Sequence, residues 1–70
     1  MTRLPVYKPK DLVKYLKKQG FCELRQIGSH LHLIHQDSRL RVTIPMHNKD
    51  LKRKTLVSIF RQANLKPEKS

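Results

Sequence analysis

Three of the four histidines of this 70-residue chain lie in one short stretch, GSHLHLIH, at residues 28–35. An imidazole ring ordinarily titrates at about pH 6.5, so it can take up or release a proton near neutral pH. Such a ring can act as a general acid or base, bind a metal ion, or serve as a polar residue on a half-buried strand. Which role applies depends on where the fold places each ring.

A metal site is the first hypothesis for the histidines. His30 and His32 are two residues apart, so their rings would share a face of a strand, and His47 could join them. Zinc sites normally use three or four ligands, often including cysteine or a carboxylate. Cys22 is the only cysteine and forms no Cys-x-x-Cys pattern. The sequence therefore predicts no metal and no cofactor.

A purely structural role is the second hypothesis, and it suits His32 and His35 as half-buried strand residues. The third is acid–base chemistry on RNA, which carries its own nucleophile in the 2′-OH. A base that removes this proton lets the oxygen attack the adjacent phosphorus, giving a 2′,3′-cyclic phosphate and a 5′-hydroxyl. Nearby cations would hold the phosphate and stabilise the developing charge.

The composition agrees with a polyanionic partner. Lys and Arg number 16 against 5 acidic residues, a formal net charge of +11. Such a field attracts nucleic acid, although an anionic membrane or an acidic protein would answer to the same charge. No apolar run approaches the roughly 18 residues of a membrane span, and neither a signal peptide nor an internal disulfide is predicted. We therefore expect a cytoplasmic protein that does not bind membranes.

The elements that position the histidines follow from hydrophobic periodicity. Leu12, Val13 and Leu16 form one stripe of a short helix that begins near Lys10, and Gly20 suits the position after its C-cap. Alternation of apolar and polar residues then predicts three strands, at residues 21–27, 30–36 and 39–44.

A second helix is predicted over residues 54–63, where apolar residues recur at helical spacing. Thr55 or Asp50 is expected to cap its start, and Asn64 to adopt the left-handed conformation at its end. Residues 67–70 form a polar tail that we expect to be disordered. The length favours one domain, spanning residues 1–70 with its core in 8–66.

The predicted fold is α+β, in the order α-β-β-β-α. Short connections imply a three-stranded antiparallel sheet, and one apolar stripe on each helix places both helices on one face. Leu31 and Leu33 would select the covered face, so His30 and His32 would point to the open one. On the third strand, Arg39, Arg41 and Thr43 are expected to point outward.

Several motifs occur in an order that is similar to a known family. They are GF at 20–21, Arg25, GSH at 28–30, IPMH at 44–47 and KDLKRKTLVSIFRQANL at 49–65. In this order they resemble the HicA family of bacterial toxins, over residues 8–66. The resemblance implies a double-stranded-RNA-binding-like fold, a metal-independent mRNA interferase activity and inhibition by an acidic HicB-type antitoxin. The toxin alone is expected to be a monomer.

The resemblance also assigns site residues. The catalytic histidine of the Gly-Ser-His motif corresponds to His30, with Gly28 permitting the turn before it and Ser29 orienting the ring or contacting phosphate. His47 matches a histidine that often follows the third strand, as a second proton donor, an RNA contact or a cap near the second helix. Many members carry glycine where this chain has Asn64, and both residues tolerate the left-handed conformation.

Two functions therefore follow from the sequence. The first is an endoribonuclease that cleaves mRNA with His30 as the base. The alternative is a non-catalytic small basic RNA-binding module with the same fold and surface. In either case the candidate phosphate contacts are the same six cations, namely Arg25, Arg39, Arg41, Lys49, Lys52 and Lys54.

Overall fold

The computed structural model describes residues 6–65, and the predicted disordered tail at 67–70 lies outside this range. Its elements follow the predicted order. They are α1 (Pro9–Lys18), β1 (Phe21–Ile27), β2 (His30–His35), β3 (Arg41–Pro45) and α2 (Arg53–Gln62). The order and the antiparallel sheet confirm the α+β, double-stranded-RNA-binding-like fold predicted from the sequence.

The sheet is a meander in the order β1-β2-β3. Ile27 pairs with His30 across the first hairpin, and His30 pairs with Pro45 across the second pair of strands. The register of β1 shifts between Glu23 and Arg25, which leaves Leu24 as an extra residue in a β-bulge. Because Leu24 is an extra residue, the strict alternation of side chains between the two faces of the sheet is interrupted at this position of β1.

One hydrophobic core lies between the sheet and the two helices, which confirms that both helices cover the same face. Leu31 and Leu33 of β2 are buried, as predicted, and so are Val42 and Ile44 of β3. The helices contribute buried apolar side chains from one stripe each, namely Leu12, Val13 and Leu16 of α1 and Leu56, Ile59 and Phe60 of α2.

The start of α1 near Lys10 and the position of Gly20 after its C-cap are as predicted. Pro9 lies at the start, Asp11 is in the first turn, and Lys17 and Lys18 are in the last turn. Charges placed in this way complement the helix dipole. Gly20 follows the C-cap with a φ of 98°, a conformation that favours glycine.

Two boundaries differ from the prediction around β3. The strand begins at Arg41 rather than at residue 39, because the preceding turn takes up more of the chain. Arg39 adopts a φ of 64°, and its amide donates to the His35 carbonyl at 3.1 Å. The prediction that Arg39 points outward from the strand is therefore wrong, since this residue belongs to the β2–β3 turn. β2 correspondingly ends at His35 instead of residue 36.

The predicted cap of α2 is also wrong. The helix begins at Arg53, its N-cap is Lys52, and no side chain caps it. Thr55 lies inside the helix, while Asp50 precedes the N-cap by two residues. Leu51 fixes the approach to the helix instead, because its side chain is buried and its amide donates to a backbone carbonyl of the N-terminal segment.

The end of α2 is as predicted. Asn64 has a φ of 56°, and the amide of Leu65 donates to the Phe60 carbonyl at 2.9 Å. This is the bond that closes a helix when the residue after the C-cap is left-handed. The side chain of Leu65 packs against the core.

Candidate nucleic-acid interface and histidine cluster

The turn between β1 and β2 consists of Gly28 and Ser29, because Ile27 and His30 are already paired. Gly28 has a φ of 57°, and Ser29 has a negative φ. A positive φ at the first central residue only is the pattern of a type II′ hairpin turn, which favours glycine at that position. The Ser29 carbonyl accepts a hydrogen bond from the Met46 amide at 2.6 Å. The turn that precedes His30 is thereby joined to the end of β3.

The face of the sheet opposite the helices is open. Residues paired across antiparallel strands share a face, so the register defines three rows on this side. The first row holds Ile27, His30 and Pro45, the second Arg25, His32 and Thr43, and the third Cys22, Ile34 and Arg41. His30 and His32 thus lie on the open face, as expected, together with two arginines.

His35 lies on the other face and has a structural role. Its ring packs edge-on against Phe21, with centroids 5.0 Å apart. Its Nε2–H donates to the Gln19 carbonyl at 2.8 Å, while Nδ1 accepts from the amides of Asp37 and Ser38. Both ring nitrogens are used, in the neutral Nε2–H tautomer. This ring is therefore not available to a substrate.

His32 is half-buried and touches its neighbour on β3. Its Nδ1 lies 3.2 Å from Thr43 Oγ1, a hydrogen-bond distance. The Thr43 amide donates to Gln62 Oε1 at 3.3 Å rather than to β2. His32 and Thr43 therefore form a non-hydrogen-bonded backbone pair, in which side chains approach each other closely.

His30 and His47 are both exposed. Within residues 6–65, the His30 ring has no hydrogen-bond partner. The Nδ1 atom of His47 accepts from the Lys49 amide at 3.2 Å. His47 also lines a depression at the start of α1, together with Lys8 and Lys10.

The six candidate phosphate contacts fall into three places. Arg25 and Arg41 lie on the open face. Arg39 lies in the β2–β3 turn, at the end of the sheet away from His30. The three lysines follow β3, with Lys49 in the loop, Lys52 at the N-cap of α2 and Lys54 in its first turn.

No carboxylate within residues 6–65 lies on the open face. Glu23 pairs with Leu33 on the covered side and forms an ion pair with Lys17 at 2.5 Å. Asp11 lies in α1, and the other two described carboxylates, Asp37 and Asp50, lie in turns or loops. The positive charge of Arg25 and Arg41 is therefore not neutralised on that face, and this favours an anionic ligand there.

Sequence reasoning missed the apolar part of this face. A shallow depression is lined by Leu24, Arg25, Ile27, His32 and Arg41. Ile27 is 58% exposed and Leu24 is 41% exposed, although alternation would have buried one of the two. The apolar residues at 21, 22, 24 and 27 do not fit a strict two-residue alternation. They indicated that the alternation is interrupted in this strand, but not at which residue.

Across residues 6–65, no three His, Cys, Asp or Glu side chains are grouped so that they could hold a metal ion. Neither of the two helices described is long and apolar enough to cross a membrane.

The fold and the open face define a small basic α+β protein with a double-stranded-RNA-binding-like sheet and a histidine-bearing cationic surface. The family model described as the HicA toxin of bacterial toxin–antitoxin systems matches residues 9–65. The chain belongs to the HicA toxin family, and this membership makes it the toxin of such a system, with an antitoxin as its partner. No match was found among curated proteins.

Proposed function

We propose that this chain is an endoribonuclease that inhibits growth by cleaving mRNA, with His30 as the general base. The observation that carries the proposal is the position of His30, exposed on the open face and in the row next to that of Arg25. A positioned base needs access to the ribose 2′-OH, and the reaction needs cations near the phosphate. An exposed imidazole and two arginines on the same face support the proposal.

The substrate would lie across the open face. Arg25 and Arg41 are placed to contact phosphates beside the histidines. His47, Lys49, Lys52 and Lys54 lie beyond the end of β3 that pairs with His30, so they are placed to contact the RNA where it leaves the sheet. Arg39, at the opposite end, would contact only a longer RNA.

The antitoxin that we propose is an acidic protein of the HicB type, bound over the open face. The exposed side chains of Ile27 and Leu24 offer apolar area to such a partner, and the unneutralised arginines offer charge complementarity. We expect the rate of association to fall with added salt, because charges steer the encounter. Binding there would also block the RNA site.

The test is cleavage of RNA by the purified chain in the presence of a chelator. We expect products that end in 2′,3′-cyclic phosphate. The variant His30→Ala should lose activity by roughly 10²–10⁴-fold, the usual worth of a general base, and should stop inhibiting growth. The control Gln19→Ala changes an exposed residue at the far end of the sheet and should stay active.

The non-catalytic RNA-binding module is the alternative function. It predicts intact RNA, together with a gel shift that weakens as salt rises. That result, or a His30→Ala protein that still inhibits growth at equal expression, would overturn the nuclease proposal.

A further inference from the structure

We propose that His32 is the general acid of the reaction, which protonates the leaving 5′-oxygen while His30 acts as the base. This inference rests on the proposed function and adds a second catalytic residue to it. Cleavage at neutral pH needs both proton transfers, because a 5′-alkoxide is a poor leaving group. The four histidines differ in their surroundings, and only one of them other than His30 suits this step.

The spacing of His30 and His32 fits a single phosphodiester. Residues two apart on a strand have Cα atoms roughly 6.6 Å apart and side chains on the same face. Leu31 between them is buried on the opposite side, which confirms the alternation. Two rings at this spacing can approach one phosphate from different sides, as in-line attack and departure require.

Thr43 gives the His32 ring a fixed orientation without fixing its protonation state. The contact between Thr43 Oγ1 and Nδ1 is 3.2 Å long. A hydroxyl can either donate to this nitrogen or accept from it, so the contact persists when the ring gains or loses a proton. Nε2 has no partner in the described part of the chain and is the atom offered to the substrate.

The depression around His32 suits a ribose phosphate. Arg25 is paired with His32 across β1 and β2, and Arg41 lines the same depression. Two guanidinium groups can bind the non-bridging oxygens of a phosphate. The side chains of Leu24 and Ile27 supply an apolar wall, against which a sugar or base can pack.

The other two histidines fit the acid role less well. Both nitrogens of His35 are bound by backbone groups on the covered side of the sheet. The Nδ1 atom of His47 accepts a hydrogen bond from a backbone amide, and its ring lines a different depression, beside Lys8 and Lys10. His32 alone combines a free Nε2, a neighbouring arginine pair and the face that carries His30.

The proton balance of the step is complete. His30 removes the proton of the 2′-OH, and the 2′-oxygen forms a bond to phosphorus. The bond from phosphorus to the 5′-oxygen breaks, and this oxygen takes the proton of His32. The products are a 2′,3′-cyclic phosphate and a 5′-hydroxyl, and exchange with water returns both rings to their starting states.

The experiment uses one oligoribonucleotide that the wild-type protein cleaves, made with either oxygen or sulfur as the 5′-bridging atom at the cleaved bond. A thiolate leaves without protonation, so loss of the acid should matter only for the oxygen substrate. We expect His32→Asn to slow oxygen cleavage by roughly 10²–10⁴-fold and sulfur cleavage by less than about tenfold. His30→Ala should slow both to a similar extent.

A folding check and one further variant separate chemistry from folding. Asn can keep the contact with Thr43 because its amide lies near the position of Nδ1, and circular dichroism checks that the variant is folded. Thr43→Val removes the hydroxyl at nearly constant volume. We expect Thr43→Val to slow cleavage of the oxygen substrate less than His32→Asn does. Cleavage of the sulfur substrate should again be less affected than cleavage of the oxygen substrate.

The outcomes distinguish the two proposals. Equal loss on both substrates, or no loss on either, would overturn the acid role of His32 and leave the nuclease intact. Sulfur recovery in His47→Asn but not in His32→Asn would move the role to His47. A wild-type protein that cleaves neither substrate would overturn both proposals.

Discussion

Gly20 and His35 are in such close contact that no side chain fits between them. A Cβ atom built on Gly20 would lie 2.7 Å from Nε2 of His35, and the same nitrogen donates to the carbonyl of Gln19. Gly20 also has a φ of 98°, which disfavours any residue with a Cβ. The ring thus closes the junction of α1 and β1 and requires glycine beside it.

We expect Gly20→Ala to lower the free energy of unfolding by about 2 kcal/mol or more, because a positive φ costs an L-residue about 1–2 kcal/mol and the contact with His35 adds to it. Gly28→Ala is the control, since Gly28 has a φ of 57° but nothing within 4 Å of its Cβ position. It should cost only the about 1–2 kcal/mol of the positive φ itself. Urea denaturation measures both, and equal losses would show that the contact with His35 adds nothing.

The register of β2 can be tested with two adjacent residues. Leu33 is fully buried, whereas Ile34 is half-buried on the open face. We expect Leu33→Ala to cost about 2–5 kcal/mol, as for other buried leucines, and Ile34→Ala to cost about 1 kcal/mol. Thermal unfolding measures the difference. The assignment of faces would be wrong if Ile34→Ala proved the more damaging change.

The open face should dominate the salt dependence of RNA binding. In a His30→Ala background, which keeps RNA intact, Arg25→Ala and Arg41→Ala should each reduce the slope of log affinity against log salt by about 0.7, the value per phosphate contact on a single strand. Lys18→Ala is the control, because Lys18 is exposed in the last turn of α1 and is not among the candidate phosphate contacts. A larger effect at Lys18 would place the RNA on α1 instead of the open face.

Most of the fold could be predicted because its signals are local. The apolar residues recur at helical spacing in α1 and α2 and alternate with polar residues in β2. The glycines at 20 and 28 mark the turns between elements. The boundaries near β3 could not be predicted in this way. Arg39 takes a left-handed conformation that its residue type does not favour, and Leu51 fixes the start of α2 by burial and a distant backbone contact.

The site was predictable to a similar degree. The alternation of β2 placed His30 and His32 on the open face, and the structure agrees. The contact between His32 and Thr43 depends on the pairing of β2 with β3, which one sequence does not specify. The position of the bulge at Leu24 likewise depends on the register between strands.

The free edge of β3 has a consequence for self-association. Proteins with short sheets risk adding a strand from a second molecule at an unpaired edge. On β3, the outward amide of Thr43 is already bonded to Gln62, and Pro45 has no amide hydrogen to offer. A neighbouring chain would therefore find two consecutive ladder positions closed, and intermolecular strand pairing at this edge would lack the donors that normally propagate it.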